Sequence, residues 1–145
     1  MTTLGSGSHI EHWLESNIAA IINPGETIKD AFVLSGDIRI DPRAVKSGYT
    51  FTNRHDIRPK IVFFTQDKSN KLHLGIAEYS KKSLGLTTLG ALQVFARIAD
   101  PKYAVMFCEN SLSKELLQLQ ADPEISSRLF SFAPGKKIEI SDVSL

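Results

Sequence analysis

Lys60-Ile61-Val62-Phe63-Phe64-Thr65 and, after the polar residues 66–71, Leu72-His73-Leu74-Gly75-Ile76-Ala77-Glu78-Tyr79 are the stretch on which the fold turns. The first run is rich in β-branched and aromatic residues, which pack well on a pleated surface. In the second, Leu72, Leu74 and Ile76 alternate with His73, Gly75 and Ala77, the two-residue period of a strand. Strand, polar turn and strand make a hairpin. Downstream, Leu86, Leu89, Leu92, Val94, Phe95, Ala96 and Ile98 make residues 86–99 a helix apolar almost all round, buried on more than one side. Residues 103–108 form a continuous apolar run, the mark of a central strand covered on both faces. From Leu72 to Cys108 the pattern is a βαβ crossover, which lays its strands parallel with right-handed sense.

Upstream of the hairpin, Ile10, Trp13, Leu14, Ile18, Ile21 and Ile22 predict a helix over 9–22. Ser8 and Glu11 form its capping box, and Asn23-Pro24-Gly25 stops it. Residues 31–34 are a short apolar run. Over 37–41, Ile38 and Ile40 alternate against charges, so a strand is expected there too. Residues 42–59 are punctuated by Pro42, Gly48, Asn53 and Pro59 and read as a loop or ragged hairpin, with a short strand at Tyr49 and Phe51. A helix is expected over 111–120, capped by Ser111 or Ser113 and closed by Asp122-Pro123. Short strands at 129–132 and 137–140 flank Pro134-Gly135. The fold class is α/β: one mixed β-sheet flanked by helices. Residues 1–7 are expected to be a flexible N-terminal segment and 8–145 one domain.

The 145 residues carry 17 Lys and Arg against 16 Asp and Glu, a formal charge of +1. Hydrophobic residues make up 42% and charged ones 23%, which excludes a disordered tail, a collagenous chain and a coiled coil. So even a balance leaves any nucleic-acid contact to a local basic groove. No apolar run reaches the ~18 residues of a membrane span. The lone Cys108 permits no internal disulfide and no cysteine-based zinc site. With no basic start and apolar core of a leader peptide, the expected location is cytoplasmic.

Helix, then Arg58-Pro59-Lys60-Ile61-Val62-Phe63-Phe64, then Lys71-Leu72-His73-Leu74-Gly75-Ile76-Ala77-Glu78, then Leu89-Gly90-Ala91-Leu92 and Lys102-Tyr103-Ala104-Val105, resembles the PD-(D/E)xK, restriction-endonuclease-like nuclease superfamily. The resemblance covers roughly residues 10–120 and implies the core order α-β-β-β-α-β-α-β. In that family an Asp opens one hairpin strand, and a Glu and a Lys two residues apart sit on the next. The carboxylates hold a divalent metal that activates water, and the lysine stabilises the developing charge. Here those three positions fall on Lys60, Gly75 and Ala77, and a helix Gln found in many relatives falls on Ala91. Glu11 or Glu15 matches an acid some relatives keep on the first helix, but one carboxylate does not hold a metal alone. The resemblance thus implies a nuclease scaffold without its site: no catalytic residue, no metal, no cofactor. Lys60 puts a positive charge where Mg²⁺ would sit, and Gly75 and Ala77 are expected to leave a shallow groove. DNA and a protein partner are the candidate partners, and relatives imply a homodimer.

A second arrangement displaces the site to Asp56, Glu78 and Lys81, with Mg²⁺ or Mn²⁺ as cofactor and endonuclease activity. A third makes the chain a structural subunit of a restriction, repair or mobile-element system. Arg54, Arg58, Lys60, Lys71, Lys81 and Lys82, with Lys68, cluster around the hairpin and are the candidate nucleic-acid contacts, with Tyr79 to stack on a base. Lysines at strand ends also discourage edge pairing. Asp37, Arg39 and Asp41 read as ion pairing on an exposed face. His9 and His12, near Glu11 and Glu15, do not make a HExxH motif. His55 and His73 lack a ligand set, and Cys108 and Trp13 read as core.

Overall fold

The two apolar runs of the hairpin become adjacent antiparallel strands, because each carries residues that must be covered on both faces. In the computed structural model, residues 8–80, 85–108 and 112–142 are described, with no side chains for 8–13, 80 and 142. The elements are α1 (Ser8–Ala19), β1 (Thr27–Val33), α2 (Pro42–Ser47), β2 (Ile61–Gln66), β3 (Leu72–Ser80), α3 (Leu86–Ala99), β4 (Tyr103–Cys108), α4 (Lys114–Ala121), α5 (Pro123–Phe130), β5 (Ser131–Ala133) and β6 (Lys136–Asp142). One six-stranded sheet runs β1-β2-β3-β4-β6-β5. The β1-β2-β3 meander is antiparallel, while β3, β4 and β6 run parallel. This is the expected mixed α/β class, and α1 to β4 follow the order that the resemblance implies except that the short helix α2 interrupts it between β1 and β2.

Alternation in the strands sorts the core into two layers. Val62, Phe64, Leu74, Ile76, Ala104 and Met106 pack on one face, beneath Leu89, Leu92 and Ala96 of α3 and Leu116 of α4. Ile61, Phe63, Ala77, Tyr79, Val105 and Phe107 pack on the other, beneath Leu14 and Ile18 of α1. All six residues of β4 are buried, as a continuous apolar run requires. Among the described residues no helix is long and apolar enough to cross a membrane.

Four expectations are corrected. The first helix ends at Ala19, and the residues up to Ile22 form a turn in which Ile21 and Ile22 donate to the Ile18 carbonyl. Residues 37–41 are a turn, not a strand: the alternation of Ile38 (buried) and Ile40 (73% exposed) comes from the turn and not from a pleat. Residues 42–47 are helical because Asp41 accepts from the Arg43 and Ala44 N–H groups and Pro42 fills the first turn. Tyr49 and Phe51 then meet edge-on at 5.0 Å as a cluster on Phe64 instead of a strand. Finally, residues 123–130 are α5, and strand begins only at Ser131. Asp122, which closes α4, accepts from Glu124 and Ile125 and so opens α5. The Ser8–Glu11 cap, Trp13, His9 and His12 have side chains outside the described set.

Candidate functional site

Where β2 starts and β3 ends, the register Ile61↔Ala77 sets Lys60 opposite Glu78. The Lys60 N–H donates to Glu78 Oε2 at 2.7 Å, and Lys60 Nζ donates to the Tyr79 carbonyl at 3.1 Å. Burial pushes the Glu78 carboxyl above its usual range, against the opposing pull of the Lys60 N–H and ammonium. Beside this pair, Leu34 donates to the Lys60 carbonyl and Ile38 to that of Ile57, so the 34–41 turn lies against residues 57–60. The turn carries an ion pair, Arg39 to Asp37 at 2.7 Å, and Arg39 Nη1 also donates to the Arg54 carbonyl at 2.7 Å. The Arg39 guanidinium holds Asp37 down at about 2. The expected ion pairing at 37 and 39 is therefore present, but Asp41 is a buried helix cap that also accepts from Ser35.

Gly75 and Ala77 do not line a groove. Strand alternation turns both to the α1 side, away from Glu78. Ala77 is fully buried there, and the space beside Gly75 is filled by the Phe63 ring, which a Cβ would strike with even Cε1 only 2.6 Å away. The expected shallow groove is thus corrected: Phe63 occupies it. Of the displaced set, Asp56 is bound by Arg58 Nε at 2.7 Å, Glu78 accepts from Lys60, and Lys81 lies outside the described residues. Among the described residues no group of three or more His, Cys, Asp or Glu side chains is placed to hold a metal ion.

The basic cluster divides. Arg54, Arg58 and Lys60 are exposed at the start of β2. Lys71 lies beyond the far end of β2 and β3, about 20 Å away for a six-residue strand. Lys68 is at that far end too, its side chain against Gly25. Lys82 lies outside the described residues, and the Tyr79 ring is buried, which removes it as a base-stacking platform. His73 Nε2 is 2.9 Å from Asp67 Oδ2 across the hairpin turn, His55 is exposed, Glu15 is exposed on α1, Ala91 is half-buried on α3, and Cys108 is core.

Sequence reasoning missed a second polar centre, at the far end. Glu26, its side chain only 4% exposed, accepts from Thr65 Oγ1 at 2.6 Å, Lys102 Nζ at 2.5 Å and Tyr103 OH at 2.9 Å. Burial works to raise the Glu26 carboxyl, but these bonds together carry it below its ordinary value. Burial above all, with the Glu26 carboxylate beside it, pushes the Tyr103 phenol up to about 12. Thr65, a hydroxyl at the end of an otherwise apolar run and fully buried, was the signal.

No family model and no curated protein matches the chain. Among solved structures, it is similar to EndoMS in its apo form, at a TM-score of 0.48 and 11% identity over 97% of this chain. The chain spans 47% of the length of that one.

Proposed function

We propose that the chain is a nuclease-like α/β domain that binds nucleic acid without cutting it. One observation carries this reading. At the point where the resembled family gathers carboxylates, Lys60 engages Glu78 through its N–H and rests its ammonium on the Tyr79 carbonyl. An ammonium beside a single half-buried carboxylate repels a divalent cation. Phosphate groups, by contrast, are attracted to lysine and arginine whatever the base sequence.

Fluorescence anisotropy and gel cleavage, with labelled duplex, single-stranded and branched DNA in Mn²⁺ or in EDTA, test both halves. Binding that weakens steeply with salt and is unchanged by EDTA, with no cleavage, is expected. Mn²⁺-dependent cleavage lost in Glu78→Ala would overturn the non-catalytic half and restore the displaced site. No DNA affinity at all would overturn the binding half and leave a protein partner as the reading.

A further inference from the structure

Each of the three parallel strands opens on lysine: Lys71 precedes β3, Lys102 precedes β4, and Lys136 and Lys137 begin β6. Parallel strands put these openings at one end of the sheet. The register Ala104↔Ile138, carried back two residues, sets Lys102 beside Lys136 on neighbouring strands. Two like charges so placed destabilise the sheet. The fold restrains both by built contacts: Lys102 Nζ to Glu26, and Lys136 Nζ to Asp100 Oδ1 at 3.0 Å and to the Pro101 carbonyl at 3.2 Å. Since an ammonium has three N–H donors, each of these contacts leaves capacity for an outside acceptor.

A cleft of about 690 Å³ is lined by Lys71, Lys102 and Lys136 together with Tyr49, His73 and Asp100. A second, of about 340 Å³, shares Lys102 and Lys136 and adds Lys137 and Glu139. The two clefts adjoin along Lys102 and Lys136, which line both, and together make the trough at this end of the sheet. Its facing acids are Asp100, already against Lys136, and Glu139, while Glu26 is shielded behind Lys102. Lys71 and Lys137 are exposed at its two ends. At the opposite end of the sheet, among the described residues, Arg39 pairs with Asp37, Arg58 with Asp56 and Lys60 with the Tyr79 carbonyl, while Arg54 is exposed.

From this convergence of four lysines on adjoining clefts we infer that a nucleic-acid strand lies across the lysine end of the sheet, its phosphodiesters on Lys71, Lys102, Lys136 and Lys137. The inference rests on the nucleic-acid reading above and places its site. From β3 to β6 is about 10 Å, two inter-strand spacings. Successive phosphates of a single strand lie further apart than the ~3.4 Å axial rise of a duplex strand, so this reach admits about two of them at a time. Tyr49, half-buried on the wall of the first cleft, is an aromatic side chain beside these lysines.

The test compares anisotropy of a labelled single-stranded oligonucleotide, from about 50 to about 200 mM salt, for three proteins: wild type, Lys71→Glu/Lys137→Glu, and Arg54→Glu/Arg58→Glu. All four side chains belong to exposed residues, and urea unfolding confirms that each variant is folded. The lysine pair is expected to weaken binding at least about tenfold and to flatten the log–log salt slope by about 1.4, two contacts at ~0.7 each. The arginine pair is expected to bind within about twofold of wild type. The reverse ranking overturns the trough and leaves the nucleic-acid reading standing. Displacement of the strand by adenosine monophosphate at equal phosphate concentration also overturns it, making the trough a site for a single phosphate. Failure of wild type to bind any nucleic acid removes the reading beneath both.

Discussion

Replacing Gly75 by alanine separates a glycine kept for packing from one left over from a lost site. The added Cβ meets the ring of Phe63, with even Cε1 at 2.6 Å. Ordinary contact needs about 3.5 Å, so the ring must retreat by about 1 Å or more. It has nowhere to go: Phe63 is fully buried and stacks on Tyr103 at a centroid distance of 6.0 Å. Overpacking of this kind destabilises by about 1–3 kcal/mol, partly offset by about 0.4–1 kcal/mol from a stiffer unfolded chain. The net loss is about 1–2 kcal/mol, which at this length lowers Tm by roughly 2–8 °C. Urea denaturation at constant m-value measures it. Phe63→Leu, which removes the offending ring, is expected to make the alanine far better tolerated, with a coupling of about 1 kcal/mol in the double-mutant cycle. A Gly75→Ala protein as stable as wild type would contradict this packing, because Gly75 would then not lie under Phe63 and the β3 register would be shifted.

The two Asp caps are expected to differ. Asp41, buried and accepting from three backbone N–H groups, should lose about 2 kcal/mol on change to alanine, whereas exposed Asp122 should lose about 1 kcal/mol or less. Chemical denaturation of both variants ranks them. Because the Glu26 carboxyl is lowered in the fold from an ordinary value of 4.5, its stabilisation is present above that pH and is lost as pH falls through the lower folded value. Glu26→Gln should therefore be less stable than wild type at neutral pH, with the gap narrowing in acid. Glu78 works in the opposite sense: its carboxyl is raised, so the charged form opposes folding above its folded value. Glu78→Gln should gain stability relative to wild type as pH rises through that range. The Asp37 carboxyl should titrate near 2 by carbon-detected NMR, and Arg39→Ala should return it toward 3.8.

Three Asp-Pro pairs show where local reading stops. At Asp41-Pro42 and Asp122-Pro123 the carboxylate caps, proline takes the first helical turn, and a helix begins. At Asp100-Pro101 the same pair ends α3, with Asp100 left-handed at φ 47° and its N–H on the Ala96 carbonyl. The dipeptide is compatible with either, and the next residues along the chain decide: apolar β-branched and aromatic residues after Pro101, helix formers after the other two. The hairpin, the crossover helix and β4 were legible because their apolar periods extend over six residues or more, but α3 buries one face where more than one was expected, with Leu86 46% and Val94 54% exposed. The site was legible only in part. Lys60 and Glu78 lie eighteen positions apart, and nothing local says that their strands meet end to end.

Side-chain period and apolar content, read along the chain alone, were enough for the α/β class, the hairpin followed by a parallel crossover, and a core built on Phe63, Phe64 and the 103–108 run. Any neighbouring layer would satisfy those demands. Three-dimensional packing was needed to settle which face each strand residue takes: a one-residue difference in register moves Gly75 from an open groove to a place under Phe63. It was needed too for the lysine end of the sheet, where four lysines scattered over more than sixty positions open three adjacent strands. Parallel pairing brings strand starts together however far apart they stand in the chain.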